Sequence, residues 1–318
     1  MENKAELHHL LILSQDFKSY KQLIETTELP GLTIVAVDDP DEAINIGAES
    51  DLLFGEPSLV CQVVNHLPNL KWVQTSWAGV EPLLVSGLRR GYVLTNARNV
   101  YGAMMSEYVF GYLLMIERRI IPRWQSQLKR NWDQRPYGTL KHKRIGLLGV
   151  GSIGAHLAST ARHFGMYVHG YTRQSETCSD VDRYFHTGAI LEFVAGLDYM
   201  VCSLPGTTAT RDLVDAAVLS ALPHTAWLIN IGRGSTVDES GLVAALNSGA
   251  LAGTVLDVFD KEPLAKDHPL WRTPNTYLTF HTAARNYLPD IAALFIENYF
   301  LLISGNSLLY QVDFEENY

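Results

Sequence analysis

A chain of 318 residues is long enough to bury a large core, and its length favours two domains over one. Hydrophobic residues at 47% and charged residues at 19% describe an ordered globular protein. Acidic side chains outnumber basic ones 34 to 25, and the net charge of -9 argues against nucleic acid or an anionic membrane as partner, so any anion must be met by a local site.

The opening MENKAELHHLLILS carries one Lys and an apolar run broken by a His pair, with no small-residue cleavage site, so no secretory signal is expected. Short β-like runs then alternate with helical patterns. HHLLILS, LTIVAV, DLLFGE, KWVQTSW and YVLTN read as strands, with FKSYKQLIETT, PDEAINIG, PSLVCQVVNHL and VEPLLVSGL as the helices between them. Such alternation implies a parallel sheet flanked by helices. From Ser106 a long helical pattern, SEYVFGYLLMIERRI, leads through Pro122 into RWQSQLKRNWDQRPYG; lacking a turn cluster at its start, it is expected to cross between two domains. Its longest apolar run, residues 108–116, is too short to span a bilayer. Basic residues from Arg118 to Arg144 are interleaved with Trp124 and Trp132, which in an acidic chain suits a solvated helix face and a subunit contact better than a nucleic-acid surface.

A second series follows, with RIGLLG, MYVHGY, YMVCSL, AWLINI, AGTVLDVF and TYLTFH as strands and helical stretches such as ESGLVAALNSG between them. The tail LPDIAALFIENYFLLISG is one more amphipathic helix; without a sheet of its own it is expected to return to the first hundred residues. Cys61, Cys178 and Cys202 lie far apart without CxxC spacing, which fits a reducing cytoplasm. The eleven histidines show no HExxH or paired spacing, and no metal site is expected.

The first loop of the second series carries the chemistry. In RIGLLGVGSIGAHLASTARHFG, Gly149, Gly151 and Gly154 form GxGxxG after an apolar strand and before a helix that stops at Gly165. Gly149 permits a tight turn, Gly151 lets the backbone approach a pyrophosphate, and Gly154 lets helix and strand pack closely. Backbone N–H groups around Ser152 and Ile153 then face the phosphates, aided by the helix dipole. A kinase loop is excluded by the missing Lys, HRD and DFG motifs, and Ser152 does not sit in GxSxG. The next strand, MYVHGY, ends at Tyr171 without the Asp or Glu that would accept hydrogen bonds from a ribose 2′-hydroxyl; Thr172 and Arg173 stand there instead, donors suited to a 2′-phosphate. NADP is therefore the expected cofactor, with NAD possible, and Glu176 is the nearest acid.

Three further stretches, LINIGRGSTVDE with Arg233, LDVFDKEPL with Asp257 and Glu262, and TFHTAA with His281, follow GxGxxG in this order. Together they resemble the signature of the D-isomer-specific 2-hydroxyacid dehydrogenases, over essentially the whole chain. Within that family YTRQS, EPLAKDHPLW and the closing QVDFEENY most resemble the glyoxylate/hydroxypyruvate reductase A branch. The resemblance implies an α/β architecture of two doubly wound parallel-sheet domains. A Rossmann cofactor domain, residues 99–286, is inserted in a flavodoxin-like substrate domain, residues 1–98 and 287–318, and two connections form a hinge. It further implies a carboxylate site at the Ala78 and Gly79 N–H groups of WAGVE, Asp257 near the nicotinamide carboxamide, cofactor contacts at Leu204, Pro205 and Ile231, and a homodimer.

The chemistry explains why such residues belong together. Reducing a 2-oxo acid needs a hydride donor, a proton for the carbonyl oxygen, and positive charge to hold the carboxylate while negative charge develops on that oxygen. His281 is the natural acid, because imidazole titrates near working pH. Glu262, bonded to the other ring nitrogen, fixes the tautomer. Arg233 suits the carboxylate and carbonyl through its planar fork. Phe280 stands where the family often has a proline, Glu81 where it often has Asp, and Trp77 is a bulky neighbour of the carboxylate loop; these departures bear on the substrate's side chain. The expected function is hydride transfer from NAD(P)H to a small 2-oxo acid to give a D-2-hydroxy acid, the alternative being a nucleotide-sensing corepressor-like protein on the same scaffold.

Overall fold

The structure is a computed structural model describing residues 7–315; the first six residues and the last three, the latter closing QVDFEENY, lie outside the described residues. The chain forms two compact units, one made of residues up to Val100 together with those from Asn286 onward, the other of Tyr101–Arg285.

In the first unit five parallel strands, β1 (His8–Leu13), β2 (Leu32–Val37), β3 (Leu52–Gly55), β4 (Trp72–Thr75) and β5 (Val93–Thr95), pair in the order β2-β1-β3-β4-β5. The central strand β1 is covered on both faces and reads as a nearly continuous apolar run, whereas the edge strand β2 alternates. Three helices connect them: α1 (Phe17–Glu25), α2 (Pro40–Ile46) and α3 (Pro57–Val63). Pro40 and Pro57 open the last two at the position where a missing N–H costs nothing, and the Asp39 carboxylate caps α2 by accepting from Glu42 N at 2.9 Å. VEPLLVSGL, expected as a helix, makes only a single 3₁₀ turn over Glu81–Leu83, because Pro82 supplies no N–H and Gly87 takes φ +94 four residues after the turn.

The second unit begins with α4 (Gly102–Glu117), one turn earlier than the sequence pattern suggests and lying wholly within that unit. Arg119 adopts a left-handed φ of 55°, ending α4, and α5 (Ile120–Leu128) starts immediately with Pro122 in its first turn. Seven parallel strands follow: β6 (Arg144–Leu148), β7 (Tyr167–Tyr171), β8 (Arg183–Phe185), β9 (Tyr199–Cys202), β10 (Trp227–Asn230), β11 (Gly253–Leu256) and β12 (Thr276–Leu278), in the order β12-β11-β10-β9-β6-β7-β8. Four helices accompany them, α6 (Ser152–His163), α7 (Ile190–Val194), α8 (Ala216–Ala221) and α9 (Glu239–Ser248). Side chains alternate between two cores. Leu148, Met200, Leu228 and Leu256 face one, while Leu147, Val201, Ile229 and Val255 face the other, so the sheet is covered on both sides. This is a doubly wound sheet whose strand order reverses between β6 and β9, and ligands of such sheets bind outside the carboxyl ends at that switch.

The last helix, α10 (Leu288–Ile303), belongs to the first unit and packs beside α1. Its Phe295 stacks on Trp72 at 5.0 Å and meets Phe54 edge-on at 5.5 Å, sealing one face of the first sheet.

Candidate active site and dinucleotide loop

Arg233, Glu262 and His281 lie on the loops that leave the carboxyl ends of the adjacent strands β10, β11 and β12. The His281 Nδ1 pairs with Glu262 Oε2 at 2.8 Å, and the other carboxylate oxygen accepts the Phe259 N–H at 3.0 Å, so the Glu262 plane is fixed from two sides. His281 is half exposed and its backbone is left-handed, φ 57°. This conformation is uncommon for any residue but glycine, and it is held by the His281 N–H donating to Asp257 O at 2.7 Å. Arg233 sits three residues beyond β10, with its stem 3.2 Å from where a Cβ on Gly206 would stand. Its neighbour Gly234 lies so close to the Phe259 backbone that a Cβ there would sit 1.8 Å from the Phe259 carbonyl carbon, which joins the Arg233 loop to the loop that carries Glu262.

Asp257, expected beside the nicotinamide, is 2% exposed and its carboxylate is engaged within the protein. Oδ1 accepts from the Thr279 hydroxyl at 2.5 Å and Thr282 N at 2.8 Å, and Oδ2 from Ala283 N at 3.0 Å. Thr279 also meets the Tyr108 hydroxyl of α4 at 2.7 Å, and burial pushes that phenol's pKa well above its usual value. Nothing in the sequence marks Thr279, one residue past β12, or Tyr108, inside α4.

At the switch point Gly149 takes φ +102, a conformation side chains avoid, and a Cβ on Gly154 would stand 2.3 Å from the Gly149 carbonyl oxygen. Helix α6 begins at Ser152 with Gly151 as its cap and no side chain over its first turn, so the Ser152 and Ile153 N–H groups open the helix. The Ser203 hydroxyl donates to Gly149 O at 3.1 Å, and a Cβ on Gly232 would come within 2.7 Å of Leu204 O, so the β6, β9 and β10 loops press backbone against backbone. These glycines fit a pyrophosphate held by main-chain amides. Pro205 lies on the same β9 loop, and Ile231 turns its side chain into the core.

Beyond β7 the Thr172 hydroxyl donates to Ser175 O at 2.7 Å, closing a small turn that carries Arg173. Glu176 pairs with His186 Nε2 at 2.8 Å. Within the first unit, Ala78 is exposed and Gly79 half buried on the loop after β4, and Trp77 beside them is 49% exposed. Phe280, 63% exposed, lies against Trp271, ring centroids 5.8 Å apart, so the residue replacing the proline forms part of an aromatic pair next to His281.

Residues 110–283 match the family model described as D-isomer specific 2-hydroxyacid dehydrogenase, NAD binding domain. The chain belongs to this family and is a dinucleotide-dependent oxidoreductase. It is 30% identical to a glyoxylate/hydroxypyruvate reductase A of Klebsiella pneumoniae subsp. pneumoniae over 217 residues, 68% of this chain and 70% of that one. A D-isomer specific 2-hydroxyacid dehydrogenase family protein of Aeromonas salmonicida superposes with a TM-score of 0.91 at 38% identity, covering 97% of this chain and 100% of the other. A D-isomer specific 2-hydroxyacid dehydrogenase of Xanthobacter autotrophicus Py2, solved in complex with NADPH and MES, superposes with a TM-score of 0.85 at 29% identity, covering 98% and 100%. Among the described residues no helix is long and apolar enough to cross a membrane.

Proposed function

We propose that this enzyme reduces a small 2-oxo acid of the glyoxylate or hydroxypyruvate type to the D-2-hydroxy acid, with NADPH preferred over NADH. The observation that carries the reading is the His281–Glu262 pair, 2.8 Å apart at the carboxyl edge of the sheet that bears the glycine loop. The reduced dinucleotide, when bound, supplies the hydride. With Nδ1 committed to Glu262, His281 presents Nε2 as the proton donor to the substrate's carbonyl oxygen. Arg233 neutralises the substrate's carboxylate and the charge developing on the carbonyl oxygen, and the Ala78 and Gly79 N–H groups bind the carboxylate. Asp257 holds the backbone N–H groups of residues 281–283 and so sets the direction of the His281 ring.

The Tyr101–Arg285 unit serves as the cofactor domain and the other unit as the substrate domain. Gly149, Gly151, Ser152, Ile153 and Gly154 hold the pyrophosphate, Thr172 and Arg173 the 2′-phosphate, and Leu204, Pro205 and Ile231 border the cofactor. The NADPH complex of the Xanthobacter relative supports the choice of cofactor, and the Klebsiella relative's name supports the substrate class. Relatives named as dehydrogenases and reductases favour an enzyme over a nucleotide-sensing protein. Three free thiols suit a cytoplasmic setting, and an exposed apolar stripe on α5 suits a homodimer.

A panel of 2-oxo acids assayed with NADPH and NADH tests the reading. Turnover of glyoxylate or hydroxypyruvate with NADPH is the expected result; no turnover of any 2-oxo acid with either cofactor sinks it.

A further inference from the structure

The loop after β4 is held from behind in a way that the proposed reaction does not by itself require. The Trp77 carbonyl accepts two donors, the Thr75 hydroxyl at 2.8 Å and the Ala97 N–H at 3.1 Å. The Ala78 carbonyl accepts from the Asn96 side-chain amide at 2.7 Å, its sole donor among the described residues. In a trans peptide the C=O and the N–H of one plane point in opposite directions. Fixing the Trp77 and Ala78 carbonyls on the protein side therefore turns the next two N–H groups, those of Ala78 and Gly79, away from it. Neither N–H has an acceptor among the described residues.

The support behind this loop is stiff. Gln74, Thr95 and Asn298 are all 0% exposed. Trp72 Nε1 donates to the Thr95 hydroxyl at 2.7 Å, which donates to Gln74 Oε1 at 2.8 Å, where Asn298 of α10 also donates at 3.0 Å. Gln74 Nε2 in turn donates to Thr75 O at 3.0 Å. A buried network with these groups satisfied fixes the strand end from which the loop departs. Two successive N–H groups that have no acceptor among the described residues, on a rigid strand end, suit an anion with two oxygens, as in other main-chain anion sites.

We infer that Asn96 and Thr75 are positioning residues for the substrate's carboxylate, acting by clamping the Ala78 and Trp77 carbonyls so that the Gly79 and Ala78 N–H groups face it as a pair. The inference rests on the proposed reading of this loop as the carboxylate site and deepens it. Asn96 carries more of the effect than Thr75, because the Ala97 N–H still holds the Trp77 carbonyl when the threonine hydroxyl is lost.

The test uses oxalate, a dianion without a reducible ketone, titrated into the NADP-loaded enzyme by calorimetry, with backbone amide resonances followed in the wild type. Oxalate is expected to move the Ala78 and Gly79 amide signals. Asn96→Ala should weaken oxalate about tenfold or more and raise the Michaelis constant for glyoxylate by a similar factor, with kcat and the NADPH constant within about twofold. Thr75→Val should show a smaller effect in the same direction, and Thr75→Ser, which keeps the hydroxyl, should restore wild-type binding. If Asn96→Ala fails to fold, the Thr75 pair and the wild-type amide shifts decide. Oxalate that does not bind, that leaves both amides unmoved, or that binds Asn96→Ala as well as wild type overturns the inference, as does an Asn96→Ala protein that loses only melting temperature. A wild type that binds oxalate through these amides yet reduces no 2-oxo acid refutes the proposed function and leaves the clamp standing.

Discussion

His281 combines a strained backbone with the proposed proton donor. Its φ of 57° costs about 1–3 kcal/mol for a residue of this type, and the Asp257 contacts to residues 281–283 hold it in place. Asparagine tolerates this conformation better and cannot donate a titratable proton. His281→Asn should therefore lower kcat by about 10²–10⁴ while leaving the NADPH constant nearly unchanged and the melting temperature equal or higher. Steady-state kinetics beside thermal unfolding checks this; near-normal turnover would remove His281 from the mechanism. Arg173 makes the companion case for the cofactor. A guanidinium on a 2′-phosphate is a charge-assisted contact, so Arg173→Ala should raise the Michaelis constant for NADPH by roughly 10–100-fold and change that for NADH little. Equal losses with both cofactors would show that this arginine does not select between them.

At the scale of elements, the start of the first sheet holds a charge that the strand pattern hides. Asp51, just before β3, accepts the His9 N–H at 2.8 Å and pairs with His8 Nδ1 at 2.7 Å, with Lys71 at 3.5 Å. Burial raises the pKa of its carboxyl, but the His9 N–H, the His8 ring and the Lys71 charge more than offset this, and the net shift is below the ordinary value. A depressed folded-state pKa stabilises above the unfolded value and loses that stabilisation as pH falls through the folded one. Asp51→Asn should thus cost about 1–3 kcal/mol at neutral pH, and the gap to wild type in denaturant titrations should narrow below about pH 4. A gap independent of pH would mean that the charge is not what matters. HHLLILS read correctly as a strand, yet nothing in it showed that His8 faces a buried acid, because partners 43 residues apart are set by sheet order. The same limit explains the rest. Long apolar runs and the glycines after β6 were legible because periodicity and turn chemistry are local. Strand β8 and helices α7 and α8, at three, five and six residues, were too short to show a period. Among site residues, the pairing of Glu262 with His281 was anticipated from their roles, whereas the clamping of WAGVE by Asn96 is invisible without the neighbouring strand.

For the whole molecule, the open question is what covers α5. Ile120, Trp124 and Leu128 recur every four residues and form one stripe, exposed by 50, 54 and 63%, and Trp132 beyond the helix is 86% exposed. Tyr137 lies under the Arg118 and Arg123 guanidiniums, 4.2 and 4.9 Å from its ring centre, so the stripe is rimmed by cations although the chain carries a net charge of -9. An apolar stripe with an indole at its centre and a polar rim has the composition of an interface core, and the exposed Trp132 follows it in the chain. A second copy of the same chain is the simplest occupant, since a two-fold axis lets one patch be its own partner. Two acidic chains repel, but at physiological salt charges farther apart than about 8 Å are screened, which leaves the apolar contact to decide. Wild type should therefore sediment near twice 35.5 kDa at micromolar concentration. Replacing both Trp124 and Trp132 by Glu should give a folded monomer with unchanged secondary structure, because neither side chain belongs to a core cluster. Added sulfate should tighten the wild-type dimer, as burial of apolar surface requires. A wild-type monomer, or a double variant that still dimerises, would show that this stripe is not the subunit contact.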